Sequence, residues 1–162
     1  MKKLFCLLFL ICIFCSGCKN KSPGVTPITS ELSFDTEIEY LGETEKYSVV
    51  FETDSVSVFC QSTGVNTVFK DDTATFSFDS ISHETKIENL PKELIIDLFY
   101  EMKTGIEKTS DIKLKNNEYY IDFKTDKYNF SICFSQTGLP LKITEKNNGI
   151  YFEITNTKIL QK

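Results

Sequence analysis

The chain has 162 residues, of which 23 are acidic, 18 basic and one histidine, and 41% are apolar. A formal charge of −5 argues against nucleic acid as a partner, because phosphates demand a concentrated positive face, and since every basic residue is lysine no bidentate guanidinium clamp for phosphate or carboxylate exists. Fourteen Phe and seven Tyr supply bulky apolar surface for one domain-sized core in the absence of Trp.

Lys2 and Lys3 precede an unbroken apolar run over residues 4–14. As a helix this run reaches roughly 16 Å, about half the ~30 Å hydrocarbon core, so a secretory signal is predicted and not a permanent span. Cys15-Ser16-Gly17-Cys18 follows directly and resembles the lipobox of bacterial lipoproteins. The resemblance implies that residues 1–17 are a signal peptide and that Cys18 becomes the N-terminus. Cys18 would carry diacylglycerol, whose two palmitate-type acyl chains would tether the protein at the extracytoplasmic face of the cell membrane. Removal of residues 1–17, two of them lysine, leaves 16 basic and 23 acidic residues and a formal charge of −7. Residues 18–31 comprise the lipid-bearing Cys18 and a flexible spacer, read from two prolines, a glycine and no apolar period. The β-rich domain is expected over residues 32–162.

Residues 34–40 and 47–53 alternate or run apolar with β-branched and aromatic side chains around a Gly42 turn, which predicts a first hairpin. Residues 55–61, 65–69 and 74–79 repeat the pattern, separated by Ser62-Thr63-Gly64 and Asp71-Asp72. A single helix is expected after Asn89, with Pro91 in its first turn, Leu94, Ile95, Leu98, Phe99 and Met102 on one stripe, and Gly105 as its cap. A lysine- and asparagine-rich connection leads to strands at residues 119–124, 128–134, 139–144 and 150–155, with Asn148-Gly149 as a type I′ turn signal. In the second of these Tyr128, Phe130, Ile132 and Phe134 point one way, and Asn129, Ser131, Cys133 and Ser135 the other.

The fold class expected is α+β: a curled antiparallel sheet of about eight to nine strands, a half-barrel, wrapped around one amphipathic helix. Residues 128–143, YNFSICFSQTGLPLKI, resemble the hairpin of LolA-like lipoprotein carriers, and the helix opened by Leu90-Pro91 fits the same pattern. That resemblance implies a concave apolar cavity accepting acyl chains, lined here by Leu94, Leu98, Phe99, Met102, Tyr128, Phe130, Ile132 and Phe134.

No catalytic constellation stands out. His83 is expected on an exposed polar loop with no nucleophile placed beside it, and one histidine cannot build a multi-histidine zinc site. Asp71-Asp72 lacks the spaced oxygen ligands of a calcium loop. Cys60 shares a face with Val56 and Val58, whereas Cys133 lies on a polar face, which disfavours a bridge between them. The reading is therefore a membrane-anchored, non-enzymatic binding or carrier module for an apolar ligand, an acyl chain or lipoprotein, without metal or cofactor. The alternative is a structural or protein-interaction lipoprotein with a fully packed core. The partners expected are the membrane, through the lipid anchor, and an apolar ligand or partner protein; oligomeric state is left open.

Overall fold

Strict alternation of buried and solvated residues turns most of the chain into strands: in β1 (Leu32–Tyr40) Leu32, Phe34, Thr36 and Ile38 are buried, while Ser33, Asp35 and Glu37 face outward. The computed structural model describes residues 31–40, 42–91 and 95–160. After β1 come β2 (Glu43–Phe51), β3 (Ser55–Cys60), β4 (Asn66–Lys70), β5 (Thr73–Phe78) and β6 (Ile81–Lys86). A 3-10 turn at Ile87–Asn89 precedes the one α-helix among the described residues, α1 (Asp97–Lys108). The chain then makes β7 (Ile112–Lys115), β8 (Glu118–Lys124), β9 (Asn129–Phe134), β10 (Pro140–Glu145) and β11 (Ile150–Ile159).

All eleven strands form one antiparallel sheet in the order β6-β5-β4-β3-β2-β1-β11-β10-β9-β8-β7. Every neighbour is joined by a short local connection except β1 and β11, whose pairing unites the two arms of the meander. That central pair carries a bulge between Ser33 and Asp35, where Asn156 takes a left-handed φ of 51° and its amide donates to Asp35 at 2.9 Å. The helix packs against β3 in one arm and β8 in the other, so the sheet curls around it as a half-barrel.

The expectation of an α+β fold with about eight to nine strands is corrected: the described residues are mostly sheet, with eleven strands and one short helix among them. The two additional strands are β6 and β7, the edges of the sheet. β6 occupies the stretch expected to be a polar loop, and His83 stands on it opposite Phe76; β7 occupies the lysine-rich connection. With one neighbour each and little burial, neither edge needs the apolar alternation that marks a strand in sequence.

The helix differs in its bounds as well. It begins at Asp97, with Ile95 and Ile96 in the preceding turn, and runs through Gly105 to Lys108, so Gly105 is an interior contact and not a cap. Asn148-Gly149 is not a type I′ turn. The β10–β11 connection has four residues, Lys146 to Gly149, of which only Gly149 is left-handed, at φ +66°. The Glu145 carboxylate accepts from the amides of Asn147 and Asn148 at 2.9 and 2.7 Å and shapes the loop itself. A two-residue turn with both residues left-handed occurs instead at Asn116-Asn117, with φ 52° and 65°.

Candidate functional site

The concave face of the sheet is a trough of aromatic and branched side chains, and α1 fills it. Leu98, Phe99, Met102 and Ile106 fall at helical spacing on the face turned inward, and all four are buried. Phe99 sits at the centre, its ring 5.5 Å from Tyr47, 5.9 Å from Phe152 and 6.4 Å from Phe34 between centroids. These tilted and edge-on contacts are the favourable aromatic geometries.

Polar groups clamp the helix to both arms. At its first residue the fully buried Asp97 carboxylate accepts from Lys127 Nζ at 2.6 Å and from the Tyr128 hydroxyl, both in the β8–β9 loop. A carboxylate also suits this place because the helix N-terminus carries partial positive charge. Burial, reinforced by the Asp97 carboxylate, holds the Tyr128 hydroxyl well above its ordinary pKa, so it remains a donor. On the opposite arm Tyr100 stacks on Phe69 at 5.5 Å and donates to the Asp71 carbonyl at 3.2 Å. Lys103 donates to the Thr53 carbonyl at 3.1 Å and to Glu107 at 2.7 Å. Gly105 completes the β8 side: a Cβ built there would lie 2.0 Å from Phe123 Cε2, so only glycine admits this approach.

Two clefts flank the helix, one on each side. The larger, about 580 Å³, lies between α1 and the end of β8, against Glu101, Gly105, Lys108, Phe123 and Thr125; the other, about 290 Å³, is bordered by Thr53, Asp54, Phe69 and Lys103. Tyr100 and Thr104 border both. Neither reaches Leu98, Phe99 or Met102.

Of the residues assigned to an apolar cavity, Leu98, Phe99, Met102, Tyr128, Phe130, Ile132 and Phe134 are all buried in one continuous cluster. The structure brings these seven together. Leu94 and the lipid site Cys18 lie outside the described residues. His83 is exposed on the β6 edge, Asp71-Asp72 closes the β4–β5 hairpin, and among the described residues no group of three or more His, Cys, Asp or Glu could hold a metal. Cys60 and Cys133 are both free thiols. Cys60 lies on the concave side within 3.5 Å of Glu45 Oε2, and Cys133 on the convex side within 3.4 Å of Glu118 Oε2. Burial raises the Cys133 thiol pKa and leaves it a poor nucleophile.

Sequence reasoning missed Asp97, Tyr100, Lys103 and Lys127, which seat the helix, and read Gly105 as a cap when it is an interior contact. An acidic residue in a first helical turn was a signal for Asp97 once the helix start was fixed correctly; nothing local marks Lys127, which is 30 residues away.

No protein-family model matches the chain, and no curated protein does. Among solved structures, the LolA superfamily protein NE2245 from Nitrosomonas europaea overlaps 82% of this chain and 87% of its own at 10% identity, with a TM-score of 0.45. PNGF-II overlaps 82% of this chain at 8% identity with a TM-score of 0.40, and the chain spans only 28% of that protein. Neither overlap is close enough to carry an activity across.

Proposed function

We propose that this chain is a lipid-tethered, extracytoplasmic binding module, not an enzyme, whose apolar trough takes an acyl chain or a similarly apolar ligand when α1 lifts from it. The observation that carries this reading is the contrast between the two parts of the helix seat. The trough itself is aromatic and apolar, while the polar attachments on one rim, Tyr100 to the Asp71 carbonyl and Lys103 to the Thr53 carbonyl, are exposed hydrogen bonds that water can replace. A helix held in this way leaves behind a concave apolar surface of the kind that binds small apolar ligands.

Native mass spectrometry of the detergent-extracted protein is expected to show a co-purifying lipid beyond the one on Cys18, and a fluorescent fatty acyl probe is expected to bind. Gly105→Ala, which wedges the helix away from Phe123, should strengthen probe binding. Absence of bound lipid, together with no probe binding by either protein, refutes the carrier reading.

A second reading is favoured by a specific observation: Leu98, Phe99 and Met102 are 1%, 0% and 1% exposed. A filled interior suits a structural or interaction lipoprotein that binds partners on its outside, and this reading expects those null results. For the tether, Cys18→Ala should abolish lipid attachment, read by intact mass and metabolic labelling; lipid-free protein from the unmutated chain would overturn that assignment.

A further inference from the structure

The end of the sheet at which the chain enters β1 is built unevenly. Leu32 pairs with Ile159, and Leu160 N donates to the Glu31 carbonyl at 2.8 Å, so the first and last described residues meet at this end. Following the registers outward from β11, the same end holds the start of β10, the Asn116-Asn117 turn and the end of β7. Three large apolar side chains are exposed there: Leu114 at 56%, Leu141 at 49% and Ile159 at 44%. Each adjoins a lysine in sequence, in Leu114-Lys115, Leu141-Lys142 and Lys158-Ile159. Among the described residues none of Lys115, Lys142 and Lys158 is within ion-pair distance of a carboxylate; Lys142 lies 5.9 Å over the Tyr151 ring. The nearby Glu118 carboxylate is engaged by the Tyr120 hydroxyl and the Cys133 thiol.

The other arm presents a different surface at the same end. Asp54, Asp71, Asp72 and Glu88 stand there, and its lysines are taken up, Lys70 by Asp54 at 3.5 Å and Lys86 by Glu88 at 3.6 Å. Apolar side chains alternating with cations that no carboxylate holds in an ion pair, Lys158 exerting only a longer-range pull on Asp35, stand on the side from which the chain departs and match the chemistry of an anionic bilayer surface: leucine and isoleucine enter the headgroup boundary and ammonium groups meet lipid phosphates.

We propose that the β7–β11 end of the domain, through Leu114, Leu141 and Ile159 with Lys115, Lys142 and Lys158, docks flat on an anionic lipid surface and fixes the domain's orientation on the membrane. This rests on the tethered reading above and adds an orientation to it. The 13 residues 19–31 span at most about 45 Å, so a lipid on Cys18 leaves this end within reach of its own bilayer. Each lysine at an anionic surface favours attachment about fivefold. The β7–β11 arm would then lie against the lipid while the acidic arm stands away from it.

The test is amide hydrogen exchange of the intact lipidated protein on nanodiscs of phosphatidylcholine alone and of phosphatidylcholine with phosphatidylglycerol. Exchange at residues 113–116, 139–142 and 158–160 should slow several-fold on the anionic discs and recover in high salt, while residues 61–64 and 79–80 at the opposite end stay unchanged. The triple substitution Lys115→Glu, Lys142→Glu and Lys158→Glu should remove the difference, with the rest of the exchange pattern confirming an intact fold. Equal exchange on the two kinds of disc, or slowing at the opposite end instead, overturns the proposal. Intact mass separates its failure from that of the tether: if Cys18 carries no lipid the tethered reading fails, and the same discs added to the unlipidated chain still test the surface.

Discussion

Gly105→Ala tests the seating of α1 most directly, because its effect should reverse sign with one further substitution. In an open helix interior the change favours folding by about 1 kcal/mol. Here the new methyl would lie 2.0, 2.3 and 2.9 Å from Cε2, Cδ2 and Cζ of Phe123, against an ordinary carbon contact of about 3.5 Å, so the ring or the helix must give way by roughly 1.5 Å. Phe123 cannot turn freely, since it packs on Phe130 with centroids 5.1 Å apart. Overpacking of this kind costs about 1–3 kcal/mol, and the size of the displacement places this case at the upper end. A net loss of about 2 kcal/mol is expected. In a Phe123→Ala background the obstruction is gone, and Gly105→Ala should stabilise by about 1 kcal/mol, a coupling of about 3 kcal/mol between the two sites. Urea melts of the four proteins give the cycle, with a common m-value confirming two-state unfolding. A stabilising Gly105→Ala in the unsubstituted background, or a coupling under about 0.5 kcal/mol, would refute the close approach.

Phe99→Ala should destabilise by about 3–5 kcal/mol, because the ring is wholly buried among Tyr47, Phe34 and Phe152; a loss below 1.5 kcal/mol in denaturant melts, well under that range, would indicate open space around it. Asp97→Ala strands the Tyr128 hydroxyl in the core but leaves Lys127, one-third exposed, able to reach water, so about 2–3 kcal/mol is expected, short of the full 3–5 for a buried pair, and Asp97→Asn should lose less. Burial works to raise the Glu145 pKa, yet amides of Asn129, Asn147 and Asn148 outweigh it and the pKa is lowered. Its stabilisation is therefore complete above the unfolded carboxyl pKa and lost as pH falls through the folded one, and Glu145→Gln should be less stable at pH 7 with a shallower acid limb in melts at stepped pH. Thr36 Oγ1 is buried with no hydrogen-bond partner among the described residues; Thr36→Val should raise stability by about 1 kcal/mol in the same melts, and a loss would mean the hydroxyl is satisfied.

The strands that were legible in sequence are those with a neighbour on each side. β1, β2, β3 and β9 bury alternate residues against α1 or the opposite wall, and that burial imposes a period of two on the choice of side chain. β6 and β7 escape this demand. The side chains of Ser82, His83 and Glu84 are all exposed, and their strand is specified by the register against β5 and by the Asp79-Ser80 turn, not by a core. Lys86, Lys113 and Lys115 also guard these open edges against pairing with another chain, so the features that keep the edges safe are those that hid them.

The helix shows where one-dimensional reading stops. Its inward stripe was legible because Leu98, Phe99 and Met102 recur at helical spacing, but its start and the role of Gly105 depend on groups distant in sequence. Asp97, the first helical residue, is held by a lysine and a tyrosine in the β8–β9 loop, and position 105 inside the helix is glycine because Phe123 occupies the space a side chain would need. Ten successive antiparallel pairings leave β6 and β7 running in the same direction, so the edges cannot join as an antiparallel pair to close the sheet. The two arms are instead held across the trough by α1, through Asp97 and Gly105 to one wall and Tyr100 and Lys103 to the other. Whatever loosens these four contacts acts on the interior and on the span between the arms together, which makes the helix the element through which binding and stability are coupled.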